Sequence, residues 1–226
     1  MPDGPNVVIV FAKYPEPGRV KTRLIGPLTA DQAADVHRRS LSLTLETVCD
    51  VPNAEVVLAV SPDGASFDEL VRRTLRIEPQ GDGDLGTRLS RVIEAEFARG
   101  AGRVIVVGSD CPQMSRTDVS RAFDLLSRDD VVLGPALDGG YYLLGLRRWH
   151  PSLFEAIDWS SQQVLNQTRR RAADAGLRVG CLAERRDVDD FDDIMALATE
   201  IGATEEALGE FGSFLRTLVS EKPGEA

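Results

Sequence analysis

Four cations crowd one short stretch of an otherwise acidic chain. In "VVIVFAKYPEPGRVKTRLIG", Val7 to Gly26, the residues Lys13, Arg19, Lys21 and Arg23 stand against a single acid, Glu16, in a protein of 226 residues and net charge -10. A basic loop directly after an apolar, strand-like run is suited to holding an anion. Pro15 and Pro17 stiffen it and Gly18 allows a bend. A second chemistry-bearing stretch is "VVGSDCP", where Asp110 follows a buried run in a turn fixed by Pro112. A carboxylate so placed is costly unless a cation meets it, and a hard divalent ion such as Mg²⁺ or Mn²⁺ does so through oxygen ligands. Capping of the next helix explains Asp110 less well, because Ser115 already fills that position.

Three further stretches complete the set. "RRDVDDFDDI" carries Asp187, Asp189, Asp190, Asp192 and Asp193. Most of these are expected to be solvated or to serve a helix N-terminus, with Asp189 the one that shares a metal with Asp110. "LDGGYY" sets Asp138 before Gly139 and Gly140. The glycines permit close approach to a ligand, and Asp138 could bind a hydroxyl, act as a base or stand behind the metal; a plain turn between two strands is the alternative. "QGDGDLG" has the form GxGxxG at Gly81, Gly83 and Gly86, but it does not follow the first strand, and Asp82 and Asp84 would repel a pyrophosphate. Gly81, Asp84 and Gly86 are instead expected beside a flat ring or ribose, unless this is an ordinary tight turn. The basic loop and the acids together would neutralise a polyphosphate, with Lys21 and Asp138 as the catalytic candidates and Lys13, Arg19 and Arg23 as phosphate holders. No GxxxxGK[ST] loop is present, so Walker-type hydrolysis is excluded. His37 and His150 are isolated and read as structural or surface residues.

Hydrophobic periodicity gives the elements that must position these residues. Strands are expected at Val7 to Ala12, Glu55 to Ser61, Leu75 to Glu78, Arg103 to Gly108, and in "DVVLGPA", "GYYLLGL" and "GLRVGCL". Helices are expected from Thr29 to Val48, near Phe67 to Arg73, from Leu85 to Arg99, from Ser115, from Ser160 to Ala175, and at Asp190 to Glu200 and Thr204 to Ser220. Thr29 with Gln32, and Ser160 with Gln163, have the spacing of a capping box. The β-branched run "RVIVVG" reads as the centre of the sheet. Strands alternating with helices imply an α/β fold, a mostly parallel sheet covered on both faces, in one domain spanning residues 1–226. Ligands bind such sheets outside the carboxyl ends of the strands, which is where the basic and acidic loops fall. Disorder is expected only at the two termini.

Composition narrows the partners. Hydrophobic content of 42% and charged content of 27% are ordinary for a globular protein. No apolar run is long enough for a membrane span, "MPDGPN" does not start a signal peptide, and the cytoplasm is the expected compartment. One basic loop on an acidic chain is not a nucleic-acid surface. Cys49, Cys111 and Cys181 have neither CxxC spacing nor neighbouring histidines. Cys49 and Cys181 read as buried small hydrophobes, and Cys111 is the one placed near chemistry.

Taken in order, "FAKYPEPGRVKTRL", "QGDGDLGTRL", "GSDCP", "LGPALDGGYYLLGL" and "DVDDFDD" resemble the GT-A-like nucleotide-diphospho-sugar transferase superfamily. More narrowly the chain is similar to bacterial arsenosugar-biosynthesis-type glycosyltransferases, and its "VKTRL" is similar to that of phospholactate guanylyltransferases. The resemblance implies a single Rossmann-like, three-layer domain with a mixed, mostly parallel sheet. It further implies nucleotide binding by the N-terminal half, contact of Arg19, Lys21 and Arg23 with phosphates, and a divalent metal, Mg²⁺ or Mn²⁺, on Asp110 and Asp189. Two reactions are then expected, each with a small-molecule acceptor: glycosyl transfer from a nucleotide sugar, put first, or nucleotidyl transfer from a triphosphate. A non-catalytic nucleotide-binding module is the third reading, and a homodimer is left open.

Overall fold

A computed structural model describes residues 4–67, 69, 70, 75–201 and 208–220. Among them run β1 (Asn6–Lys13), α1 (Ala30–Cys49), β2 (Ala54–Ser61), β3 (Arg76–Pro79), α2 (Leu85–Ala98), β4 (Arg103–Gly108) and α3 (Arg116–Leu125). They are followed by β5 (Val131–Pro135), β6 (Tyr141–Leu146), α4 (Val164–Asp174), β7 (Val179–Cys181), α5 (Phe191–Ile201) and α6 (Gly209–Ser220). The strands form one sheet of order β3-β2-β1-β4-β6-β5-β7. β6 runs antiparallel to both of its neighbours, and every other pairing is parallel. The expected α/β fold with a mostly parallel, mixed sheet is therefore observed, and the "RVIVVG" strand β4 lies at its middle.

The alternation along β1 explains the layers. Val8, Val10 and Ala12 face one side and pack with Leu41 and Leu45 of α1 and Val119 and Phe123 of α3. Val7 and Ile9 face the other and pack with Leu89, Val92 and Ile93 of α2 and Ala172 of α4. A strand apolar on both faces must be covered on both, which forces three layers. A third cluster joins Val36 of α1 to Ile194 and Leu197 of α5 and to Phe211 and Leu215 of α6. The C-terminal helices thereby hold the acidic "DVDDFDD" segment against the sheet edge.

Two local signals are realised as capping boxes. The Thr29 side chain accepts from the Gln32 N–H at 3.2 Å, and the Thr29 N–H donates to Gln32 Oε1 at 2.9 Å. Ser115 and Asp118 do the same for α3. Thr29→Ala should lower stability by about 1 kcal/mol in urea unfolding, and an unchanged midpoint would mean that packing alone fixes this helix start.

Other expectations are corrected. The helix expected from Ser160 begins only at Val164; Ser160 is left-handed (φ 69°) and makes no cap, because Trp159 and Gln162 are docked onto neighbouring backbone, as described below. "GLRVGCL" yields only the three-residue edge strand β7, and Cys181 is exposed there rather than buried. Cys49 is partly exposed. The helix expected near Phe67 to Arg73, the start of the one expected from Thr204, and the disorder expected at the termini fall wholly or mostly outside the described residues.

Candidate functional site

The sheet's connections reverse direction between β1 and β4: from β1 the order runs back through β2 to β3 and forward to β4. A crevice at the carboxyl ends of two such strands is where open α/β sheets take ligands. A cleft of about 620 Å³ lies there, within the usual range for small-molecule sites. Lys13, Arg19, Lys21, Arg23, Asp110, Asp138, Gly140 and Asp189 all line it, so the structure brings these sequence-selected residues to one place.

At the foot of the cleft the basic and acidic loops meet in a direct ion cluster. Lys21, held in a left-handed conformation (φ 47°), sends its ammonium inward until only 5% of the side chain is exposed. Its Nζ lies 2.6 Å from Asp110 Oδ1 and donates to Asp189 Oδ1 at 3.0 Å and to the Val188 carbonyl at 2.5 Å. Burial alone would lower the pKa of this ammonium; Asp110 and Asp189 outweigh it and hold the group above the ordinary lysine value. Burial likewise pushes Asp110 up, and Lys21 with His37 overrides it, holding the carboxyl well below the usual carboxylate range. Lys21 is thus already paired with the two carboxylates the sequence assigns to a metal, and only Lys13, Arg19 and Arg23 of the basic loop remain turned to the cleft mouth. Arg19 pairs with Glu16 at 3.2 Å; Lys13 and Arg23 form no ion pair among the described residues.

Asp110 is fixed by backbone ties from two directions. Ser40 of α1 donates its hydroxyl to the Ser109 carbonyl at 2.5 Å, and the Val188 N–H donates to the Asp110 carbonyl at 2.8 Å. The Asp110 side chain is 42% exposed, but its Oδ1 is enclosed. His37 Nδ1 stands 3.8 Å from that oxygen. His37 Nε2 carries the proton and donates to the Lys13 carbonyl at 3.0 Å, since a carbonyl can only accept. The sequence reads His37 as structural or surface, and it is buried and tied to backbone. The missed signal is its position: it falls on the buried face of α1 with Ala33, Ser40, Leu41 and Thr44, where a polar side chain needs a reason.

Asp187 is the second residue passed over as a site. It lines the cleft, and its Oδ1 is buried without a hydrogen-bond partner. Burial, then the charges of Asp110, Asp138 and Asp189, push its carboxyl up to about 8. Asp110 and Asp189 therefore share one internal ammonium, with the carboxylates of Asp187 and Asp138 close enough to crowd them. Such an all-oxygen, over-negative donor set suits a hard divalent cation. Among the described residues no three His, Cys, Asp or Glu side chains converge closely enough to ligate one unaided. The fit is to an ion that takes one or two carboxylates and completes its shell with phosphate oxygens and water.

The remaining candidates have other work. Asp138 accepts the Gly140 N–H at 2.8 Å at the cleft rim. Asp84 caps α2 by accepting the Thr87 N–H at 2.7 Å, and Gly81 donates its N–H to Asp63. Gly86 and Gly139 do allow close approach, but the approaching atoms belong to the protein. A Cβ at Gly86 would lie 2.1 Å from Trp159 Nε1, and one at Gly139 would lie 2.2 Å from the Gln162 carbonyl oxygen. Gly81, Asp84, Gly86 and Gly139 do not line the cleft. Cys111 lines it, yet burial, with the charge of Asp187, raises its thiol far above the ordinary value, so it is no thiolate. Gln80 is buried, donating to the Ala12 and Ala59 carbonyls and accepting from Arg88 at 2.7 Å, which ties α2 to the ends of β1 and β2.

The fold is one shared with solved nucleotidyl and nucleotide-sugar transferases. A crystal structure from Desulfovibrio desulfuricans, provisionally described as a nucleotide-diphospho-sugar transferase, superposes with a TM-score of 0.89 at 29% identity, over 97% of this chain and 98% of that one. CMP:2-keto-3-deoxy-manno-octonic acid synthetase, solved with CTP, shares the fold at a TM-score of 0.57 and 15% identity, over 89% of this chain and 100% of its own. The chain belongs to the family described as an uncharacterized protein conserved in bacteria (DUF2064), which matches residues 44–161. It is also 37% identical over 95 residues to a 2-phospho-L-lactate guanylyltransferase of Methanothermobacter thermautotrophicus. That match takes in 40% of this chain and 41% of the relative's length. No helix among the described residues is long and apolar enough to cross a membrane.

Proposed function

We propose that the protein is a nucleotide-dependent transferase whose reaction is nucleotidyl transfer from a nucleoside triphosphate to a phosphorylated small molecule, with release of pyrophosphate. The observation that carries this reading is the division of labour among the cations. Lys21 is consumed by Asp110 and Asp189, so the cleft mouth still offers Lys13, Arg19 and Arg23 to a separate, highly charged group. A leaving pyrophosphate needs that compensation more than a sugar-linked diphosphate does. The guanylyltransferase relative, and the CTP-bound synthetase that shares the fold, support the same choice. Glycosyl transfer from a nucleotide sugar is the second reading, favoured by the full-length likeness to the Desulfovibrio protein.

Asp110 and Asp189 are the residues that would hold a divalent ion, which when bound would neutralise phosphate charge and polarise the bond being broken. The chain's own groups then act on the substrate's charge and position. Lys13, Arg19 and Arg23 bind the outer phosphates, Lys21 keeps the two carboxylates ionised and aimed, and Asp138 at the rim would accept a hydrogen bond from a hydroxyl of the acceptor.

The test is to incubate the protein and magnesium with a panel of nucleoside triphosphates and nucleotide sugars, together with phosphorylated acceptors, following products by mass. Pyrophosphate formed with a nucleotidylated acceptor is the expected outcome. Release of a nucleoside diphosphate from a nucleotide sugar would transfer the assignment to glycosyl transfer. No thermal stabilisation by any nucleotide would sink both.

A further inference from the structure

Besides its charges the cleft has an aromatic and apolar lining, which includes Leu85, Leu89, Tyr141 and Trp159. Trp159 is not a casual wall residue. Its indole lies across Gly86, whose missing Cβ makes the space. Phe154 lies nearly parallel behind it, with ring centroids 6.3 Å apart at 17°, and Trp149 stacks in turn on Phe154 at 5.4 Å. This ladder of rings fixes the indole while leaving it partly exposed to the cleft. Arg88 also lines the cleft, held by Gln80 through Nη1, and its Nη2 makes no hydrogen bond among the described residues.

We infer that Trp159 is a nucleobase-stacking residue, seated by Gly86, so that the base of the bound nucleotide lies on the indole while its phosphates reach the mouth cations. The inference rests on the nucleotide reading above and gives it a specific contact. A cleft lined both by cations and by a flat indole matches a ligand with a polyanionic tail and a planar ring. An indole accepts any base because every base presents a π-face. Arg88 Nη2 is a donor left in the same lining for the edge of that base, so selectivity among bases falls to Arg88 and affinity to Trp159.

Trp149 and Trp159 are the protein's two tryptophans, so Trp149→Phe leaves emission from Trp159 alone. In that protein a nucleoside triphosphate with magnesium should quench the emission, whereas inorganic tripolyphosphate, which has no base, should bind without quenching. Trp159→Leu should weaken nucleotide binding roughly 5- to 150-fold in calorimetry while leaving tripolyphosphate affinity within about twofold. Gly86→Ala, which drives a Cβ into the indole, should shift the Trp159 emission before ligand is added and reproduce the loss. Nucleotide binding with no change in Trp159 emission, or with full affinity in Trp159→Leu, would overturn the stacking role while leaving the nucleotide reading intact. Should Trp159→Leu prove misfolded, the emission of Trp149→Phe decides alone. Absence of binding by every nucleotide to the wild-type protein would overturn both.

Discussion

Asp110→Asn should lower turnover on the order of 10³-fold, with a smaller loss of nucleotide affinity. Asp110 stands at the carboxyl end of the central strand, 2.6 Å from Lys21, and opens 42% of its side chain to the cleft. The amide keeps the shape and removes the charge, so what is lost is electrostatic: the anchor for Lys21 and one oxygen ligand of the proposed cation. Breaking a fully buried ion pair costs about 3–5 kcal/mol. Here Asp110 is partly solvated and Lys21 retains Asp189, so a stability loss of about 1–2 kcal/mol is expected. Pyrophosphate release and urea unfolding on the same preparation separate the two effects. Turnover within about tenfold of wild type would remove Asp110 from the chemistry. A collapse of stability with full specific activity in the folded fraction would make it a structural residue.

Asp110's place in the cleft was legible in the sequence because an acid beyond a strand buried on both faces has few structural uses. The same logic placed β4 at the middle of the sheet: a β-branched run has to be covered on both sides, and only an interior strand offers that. The starts of α1 and α3 were legible because capping is local, closed within four residues. From the carboxyl ends of the expected strands followed most of the cleft's charged lining.

What the sequence hid depends on contacts between distant residues. Charge type alone set Lys21 against a phosphate, whereas the fold turns it back onto Asp110 and Asp189, a pairing no spacing encodes. Gly86 and Gly139 were read as places where a ligand comes close, whereas the atoms that come close in the structure are those of Trp159 and Gln162. Those same two contacts defeat the capping signature at Ser160: the segment is docked before the helix can begin, and tertiary packing overrides a local preference. His37 and Asp187 were passed over because an isolated histidine and one acid among five carry no pattern. Only the buried position of the first and the crowding of the second mark them.

That crowding gives the larger pH effect. An aspartate in the unfolded chain titrates near about 3.9, whereas burial, then Asp110, Asp138 and Asp189, push Asp187 up to about 8 in the folded protein. Between these values the folded state holds a proton that the unfolded state has released. Stability in EDTA should therefore be fully present below the unfolded value and fall as pH rises toward about 8, at a limiting slope of about 1.4 kcal/mol per pH unit for this one group. Asp110 contributes the opposite dependence, but in another window: its carboxyl is depressed, so its share is lost only as pH falls through the acid range. Asp187→Asn is neutral at every pH and should flatten the decline, leaving the variant more stable than wild type near pH 8 by roughly 2 kcal/mol or more. Urea unfolding at intervals from about pH 5 to about pH 8.5 reads both slopes; a wild-type stability that is flat or rising, or an unchanged slope in the variant, would remove the buried proton from Asp187. Excess magnesium should flatten the wild-type slope in the same direction, because a cation among these carboxylates favours the ionised form of each. A magnesium-dependent gain in unfolding free energy that survives in Asp187→Asn but vanishes in Asp110→Asn would place the ion on Asp110, with Asp187 as the neighbour whose charge it makes tolerable.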